Sequence, residues 1–109
     1  MKSSVIVYSQ IYTFGGIEYL FVQLAKFLKK KKKKLKIIFF ENKINFNKYE
    51  KNIKLIKLSN NQSIVNKAYD LKKTIDRLNN VGNILLYDEK SVAYAHLSNI
   101  KNYNVALTD

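Results

Sequence analysis

A chain of 109 residues has the length of one domain, long enough to bury a core without a covalent staple. It has no cysteine, which excludes a disulfide framework, a thiolate zinc site and a thiol nucleophile, and one histidine, His96, which limits any triad or imidazole metal site to a single ring. Lys and Arg total 20 against 8 Asp and Glu, a formal charge of +12, with Arg77 the one arginine.

In chain order, residues 5–9 form a short, β-branched apolar run that reads as a buried strand and ends at a polar, glycine-bearing loop, residues 10–16. Ile17, Leu20, Phe21, Leu24, Ala25 and Leu28 then recur three and four apart, one face of a helix. That helix runs into Lys29, Lys30, Lys31, Lys32, Lys33 and Lys34, cations suited to the negative pole of its macrodipole. Residues 35–40 predict a second buried strand, residues 42–52 a polar connection, and residues 53–58 a third strand whose interleaved lysines suit a sheet edge.

Asn60 or Asn61 is placed to cap a second helix, whose apolar positions Ile64, Ala68, Leu71, Ile75 and Leu78 give the cleanest period in the chain. Gly82 is expected to stop it in the left-handed conformation common just past helix ends. Residues 83–87 predict a fourth strand, Asp88 the cap of a third helix over residues 90–99, and residues 104–107 a fifth strand. Continuously apolar strands alternating with amphipathic helices imply an α/β fold. The expected form is a Rossmann-like, mostly parallel sheet of about five strands with helices on both faces.

No stretch approaches the ~18 consecutive apolar residues of a membrane span, and the N-terminal run is too short for a signal peptide. The chain is expected in the cytoplasm, with a peripheral location at the inner face of the cell membrane as the charge-driven variant. Three readings of the charge stand together. The 19 Lys, 13 Asn and 12 Ile, with no Pro or Trp, match the usage of an A/T-rich genome. An anionic lipid surface could be met through Lys29 to Lys34, each lysine contributing about 1 kcal/mol near such a surface. Nucleic acid fits least, because its readers favour arginine for bidentate contacts. The aromatic side chains show no stacking motif and are expected mostly in the core, and His96 reads as structural.

In doubly wound sheets ligands bind beyond the carboxyl ends of the strands. The loop after the first strand reads Tyr12-Thr13-Phe14-Gly15-Gly16-Ile17-Glu18. Two glycines ahead of a helix permit close backbone approach to a ligand, and the helix N-terminus accepts a phosphate. The same residues equally serve as a plain turn, with Glu18 in the first helical turn. This is neither the dinucleotide fingerprint nor a Walker A loop.

The run Gly-Gly-Ile-Glu, the helix Tyr-Leu-Phe-Val-Gln-Leu-Ala-Lys-Phe-Leu from Tyr19 to Leu28, and the lysine-rich turn into Leu-Lys-Ile-Ile-Phe-Phe resemble the opening of GT-B glycosyltransferases. More narrowly they resemble the retaining, nucleotide-sugar-using family 4. The resemblance implies that residues 1–109 are the N-terminal, acceptor-side Rossmann-like domain of a longer transferase, incomplete and inactive alone. The implied reaction moves a sugar from a nucleotide-sugar donor to a hydroxyl of an acceptor glycan or glycolipid in bacterial cell-surface polysaccharide or glycolipid synthesis. It further implies a missing C-terminal donor domain, no metal, and no cofactor beyond the donor substrate. Gly15 and Gly16 match the family's loop near the donor diphosphate and acceptor, and Glu18 its acidic residue in the first helical turn. Family members carry histidines after the fourth and fifth strands; this chain has none there, and Asp88 stands at or beside the first of those positions as a substrate-binding candidate, with its capping role as the plain alternative. No residue is assigned to catalysis. The rival class is a non-enzymatic basic α/β module binding an anionic partner: a membrane surface, nucleic acid or protein. A receiver-like module lacks support, because no acidic cluster follows the first strand.

Overall fold

The computed structural model describes residues 3–8, 10–11, 16–42, 48, 50–78 and 81–105. Val5, Ile6 and Val7 carry apolar side chains to both faces of strand β1 (Ser3–Val7), and all three are buried, so this strand has to lie inside the sheet. It pairs in parallel with β3 (Leu35–Phe39) on one side and with β6 (Val81–Leu86) on the other. β5 (Ile53–Lys57) and β7 (Asn104–Val105) flank these, giving the order β5-β3-β1-β6-β7 with every pairing parallel. The fold is therefore α/β with a five-stranded parallel sheet, as the alternation of runs predicts.

Helices cover both faces. α1 (Gly16–Lys30) packs Phe21, Val22, Ala25 and Leu28 against Ile6, Leu35, Ile37 and Phe39. α2 (Ile64–Arg77) and α3 (Glu89–Leu97) share the opposite face, where Ala68, Leu71, Ile75, Tyr94 and Ala95 meet Val5, Val7, Ile38, Ile84 and Leu86. The alternation along β1 thus divides one strand between two cores: Ile6 belongs to the α1 side, Val5 and Val7 to the other. The α1 side of β6 and β7 is only partly covered. A cavity of about 290 Å³ opens there, with Ile6, Leu24, Leu85, Asn83 and Asn104 among its walls.

Several local readings are corrected. A two-residue parallel ladder, β2 (Gln10–Ile11) with β4 (Glu41–Asn42), continues the β1–β3 pairing beyond the main sheet, inside stretches that read as loops. The cap of α2 is Ser63, whose side chain accepts from the Asn66 amide at 3.2 Å, rather than Asn60 or Asn61. Gly82 does not end α2: Leu78 does, in extended conformation, and Gly82 lies inside β6, where the register with β1 shifts between Ser3–Val81 and Val5–Ile84. A residue without Cβ accommodates that bulge. Within the expected helical stripes, Leu20 and Ile64 are exposed, and Tyr19, Phe27 and Tyr69 depart from the expectation of mostly buried aromatic side chains. His96 is exposed in the last turn of α3.

α1 has no glycine to end it, and Lys32 takes that place with φ 58°. The Lys33 amide donates to the Leu28 carbonyl at 2.9 Å and the Lys32 amide to that of Lys29 at 3.0 Å, the paired bonds of a Schellman cap. α3 ends the same way at Asn99, φ 59°, with Ile100 to Ala95 at 3.0 Å and Asn99 to His96 at 3.3 Å. Asn52 then fastens the edge of the sheet to α1: its side-chain amide donates to the carbonyls of Ala25, 2.9 Å, and Lys33, 3.0 Å.

Candidate functional site

The strand order reverses direction at β1. From it the chain winds outward through β3 to β5, then crosses back to β6 and β7 on the other side. The helices that serve these two directions lie on opposite faces, so the carboxyl ends of β1 and β6 mark the switch point at which doubly wound sheets bind ligands. Tyr8 follows β1, and Tyr87 and Asp88 follow β6. The Tyr87 amide donates to the Val7 carbonyl at 3.1 Å, which holds the two ends side by side.

Three rings meet at this point. The centroids of Tyr8 and Tyr87 are 5.3 Å apart, those of Tyr8 and Phe21 5.8 Å, and those of Phe21 and Tyr87 5.1 Å, the two contacts with Phe21 being edge-to-face. Phe21 comes from the second turn of α1. One turn earlier, Glu18 is 6% exposed, a buried carboxylate hydrogen-bonded to the Tyr8 side chain.

Asp88 caps α3: its Oδ1 accepts from the Ser91 amide at 2.8 Å. Ser91 is fully buried, and its hydroxyl donates back to the Val7 carbonyl at 3.4 Å, linking the start of α3 to the end of β1. Among the described residues, no buried side-chain nitrogen or oxygen lacks a hydrogen-bond partner.

The electrostatics of this point are acidic, in contrast to the charge of the whole chain. Burial, together with Glu18, Asp88 and the neighbouring Tyr87, pushes the Tyr8 hydroxyl up to about 12. Tyr87 is raised by burial and then by Glu18, and Tyr94, on the other face, by burial and then by Asp88. Two carboxylates and two protonated phenols form a set rich in acceptors, with phenolic donors beside them. Glu18 and Phe21 are buried, whereas Tyr8, Tyr87 and Asp88 are partly exposed and are the groups here that a hydrogen-bonding ligand can reach. Among the described residues, no three His, Cys, Asp or Glu side chains are grouped to hold a metal ion.

Of the candidates expected from the sequence, Asp88 is at the carboxyl end of β6, in the capping role that stood as its plain alternative. Gly16 is the first residue of α1, one turn or less from Glu18. Gly15 lies outside the described residues. Tyr8 and Tyr87 are not among those candidates, and a local signal for them exists: each is the residue at which an apolar run gives way to polar ones, at the carboxyl end of an inner strand.

The lysines Lys29 to Lys34 sit at the opposite end of α1 and are all exposed. No helix among the described residues is long and apolar enough to cross a membrane. Comparison of the chain with protein-family models, with curated proteins and with solved structures finds no match.

Proposed function

We propose that this chain is the acceptor-side domain of a GT-B, family 4-like glycosyltransferase, making sugar linkages of bacterial cell-surface polysaccharide or glycolipid. In the proposed reaction the oxygen of an acceptor hydroxyl bonds to the anomeric carbon of a nucleotide-sugar donor. The bond from that carbon to the diphosphate breaks, and the hydroxyl proton leaves with the diphosphate. A second domain supplies the donor half, so residues 1–109 alone bind without turnover.

The observation that carries this reading is the group of Tyr8, Glu18, Tyr87 and Asp88, phenols and carboxylates brought together at the sheet's reversal near the start of α1. Its acidic character suits a neutral, hydroxylated acceptor against these side chains. The diphosphate would lie at the backbone amides that begin the helix, by way of Gly15 and Gly16.

An amide-resolved NMR titration of the 109-residue chain tests the reading. An alkyl glycoside should shift the amides of Glu18, Tyr87, Asp88 and Ser91, and a uridine diphosphate sugar should shift those that open α1. If both ligands at millimolar concentration leave these amides unmoved, the reading fails.

A further inference from the structure

On the side of the sheet opposite α1, large apolar side chains stand out of the surface formed by α2 and α3. Val65 is 68% exposed, Tyr69 63%, Ile64 60% and Leu97 55%. Val65, Tyr69 and Leu97, with Ala68 and Ser98, wall a hollow of about 130 Å³ between the two helices. An apolar hollow of this order accepts a group the size of benzene, hence the side chain of a leucine or isoleucine. Ile64 is not one of its walls and projects from the first turn of α2, one residue before Val65.

Val65, Tyr69, Lys72 and Asp76 follow one line of α2, at steps of four, three and four. The line is apolar over its first half and carries an ion pair over its second, Lys72 Nζ to Asp76 Oδ2 at 3.4 Å. Lys73 borders the apolar part, its ammonium 5.3 Å from the Tyr69 ring centroid.

Charge is divided unevenly between the two sides of the sheet. α1 and the turn after it carry seven lysines, Lys26 and Lys29 to Lys34, against the buried Glu18. α2, α3 and the cap of α3 carry five cations, Lys67, Lys72, Lys73, Arg77 and Lys90, against four carboxylates, Asp70, Asp76, Asp88 and Glu89. The α2–α3 face is therefore close to neutral and bears both signs, although the chain as a whole is +12.

We propose that two copies of this chain associate through the α2–α3 face in a two-fold dimer, each placing Ile64 in the hollow of the other. The dimer is independent of the transferase reading. Charge complementarity selects the occupant, because a face with both signs of charge meets its own copy without the repulsion that the lysines of α1 would impose. A two-fold contact is also self-complementary: a surface that carries a knob and a hole presents each to the other on its copy. The four exposed side chains offer roughly 400 Å² of surface, about half of the ~800 Å² that each partner brings to a standard interface, and the polar residues around them complete a small one. A polyanion or an anionic surface would select the lysines of α1 instead.

Sedimentation equilibrium of the 109-residue chain, from micromolar to millimolar concentration, should show a reversible monomer–dimer equilibrium and no larger species. Tyr69→Glu sets a carboxylate among the apolar contacts, and Ile64→Ala removes the knob. Each should raise the dissociation constant by about tenfold or more, the scale of one buried apolar side chain. Phe27→Ser, on the outward face of α1, should leave it unchanged. In amide-resolved NMR spectra the signals of Val65, Tyr69, Leu97 and Ser98 should move with concentration in step with the dimer fraction. Circular dichroism confirms that each variant is folded.

Three outcomes overturn the proposal. The first is a chain that stays monomeric at millimolar concentration. The second is a dimer that Tyr69→Glu or Ile64→Ala leaves unchanged, or that Phe27→Ser weakens as much, which places the contact elsewhere. The third is association that continues past the dimer, which makes the contact non-closing.

Discussion

The rings of Tyr8 and Tyr87 lie 5.3 Å apart, tilted by 55°, at the ends of the two neighbouring strands between which the sheet reverses its direction of winding. The two residues are far apart in sequence, and the hydrogen bond from Tyr87 N–H to the Val7 carbonyl, 3.1 Å, sets their separation. Their phenols share one electrostatic influence, the Glu18 carboxylate, which favours the protonated form of both.

Burial first, with that influence added to it, makes the Tyr8 titration a stability measurement. Folding raises the Tyr8 hydroxyl from 10.0 to about 12, so the contribution is fully present below pH 10. It is lost as pH rises toward the folded value, because the unfolded chain releases this proton first. Denaturation midpoints recorded from pH 9 upward should therefore fall less steeply in Tyr8→Phe than in the parent chain, between about 10 and about 12. Parallel curves for the two proteins would contradict the burial of this hydroxyl and its placement near Glu18 and Asp88.

Asp88 serves as cap as well as carboxylate, and two substitutions separate the roles. Asp88→Ala removes the acceptor for the Ser91 amide and should cost about 1 kcal/mol in urea denaturation, whereas Asp88→Asn keeps a capping oxygen and should cost a few tenths. If the NMR shifts induced by an alkyl glycoside survive Asp88→Asn, which keeps the cap and removes the charge, the carboxylate is not what meets the ligand.

Lys32 occupies the left-handed position of the α1 cap with a side chain that opposes it, φ 58°. Lys32→Gly should stabilise the chain by about 0.5–1 kcal/mol, the relief of the Cβ clash less the added freedom of the unfolded chain. A thermal midpoint lowered by the glycine would mean that Lys32 holds the turn by some other contact.

Leu71 is fully buried on α2 while Ile64, on the same helix, is 60% exposed. Leu71→Ala should cost about 2–5 kcal/mol through lost burial and the cavity left behind. Ile64→Ala should stay within about 0.5 kcal/mol. Equal losses at the two sites would place α2 in a different rotation on the sheet.

The difference between Leu71 and Ile64 also shows where reading the sequence stops. Both fall on one helical stripe, and the period predicts the stripe; how wide a strip the sheet covers depends on where α2 crosses the strands. Leu20 on α1 is the same case. Its exposure turns an expected core position into part of a basic and apolar surface.

The sequence by itself determined the α/β class, the five main strands, the three helices and the edge position of β5, because those follow from apolar periodicity and from lysines interleaved along a strand. It equally determined that Asp88 begins a helix, since a cap acts over three residues. Tertiary structure alone decided the ends of α1 and α2, the bulge at Gly82, the small β2–β4 ladder, and the company of Tyr8 with Glu18, Tyr87 and Asp88. Each of these rests on backbone partners or charges from elsewhere in the chain, and the energies involved are small enough that the packed sheet, not local preference, chooses among the alternatives.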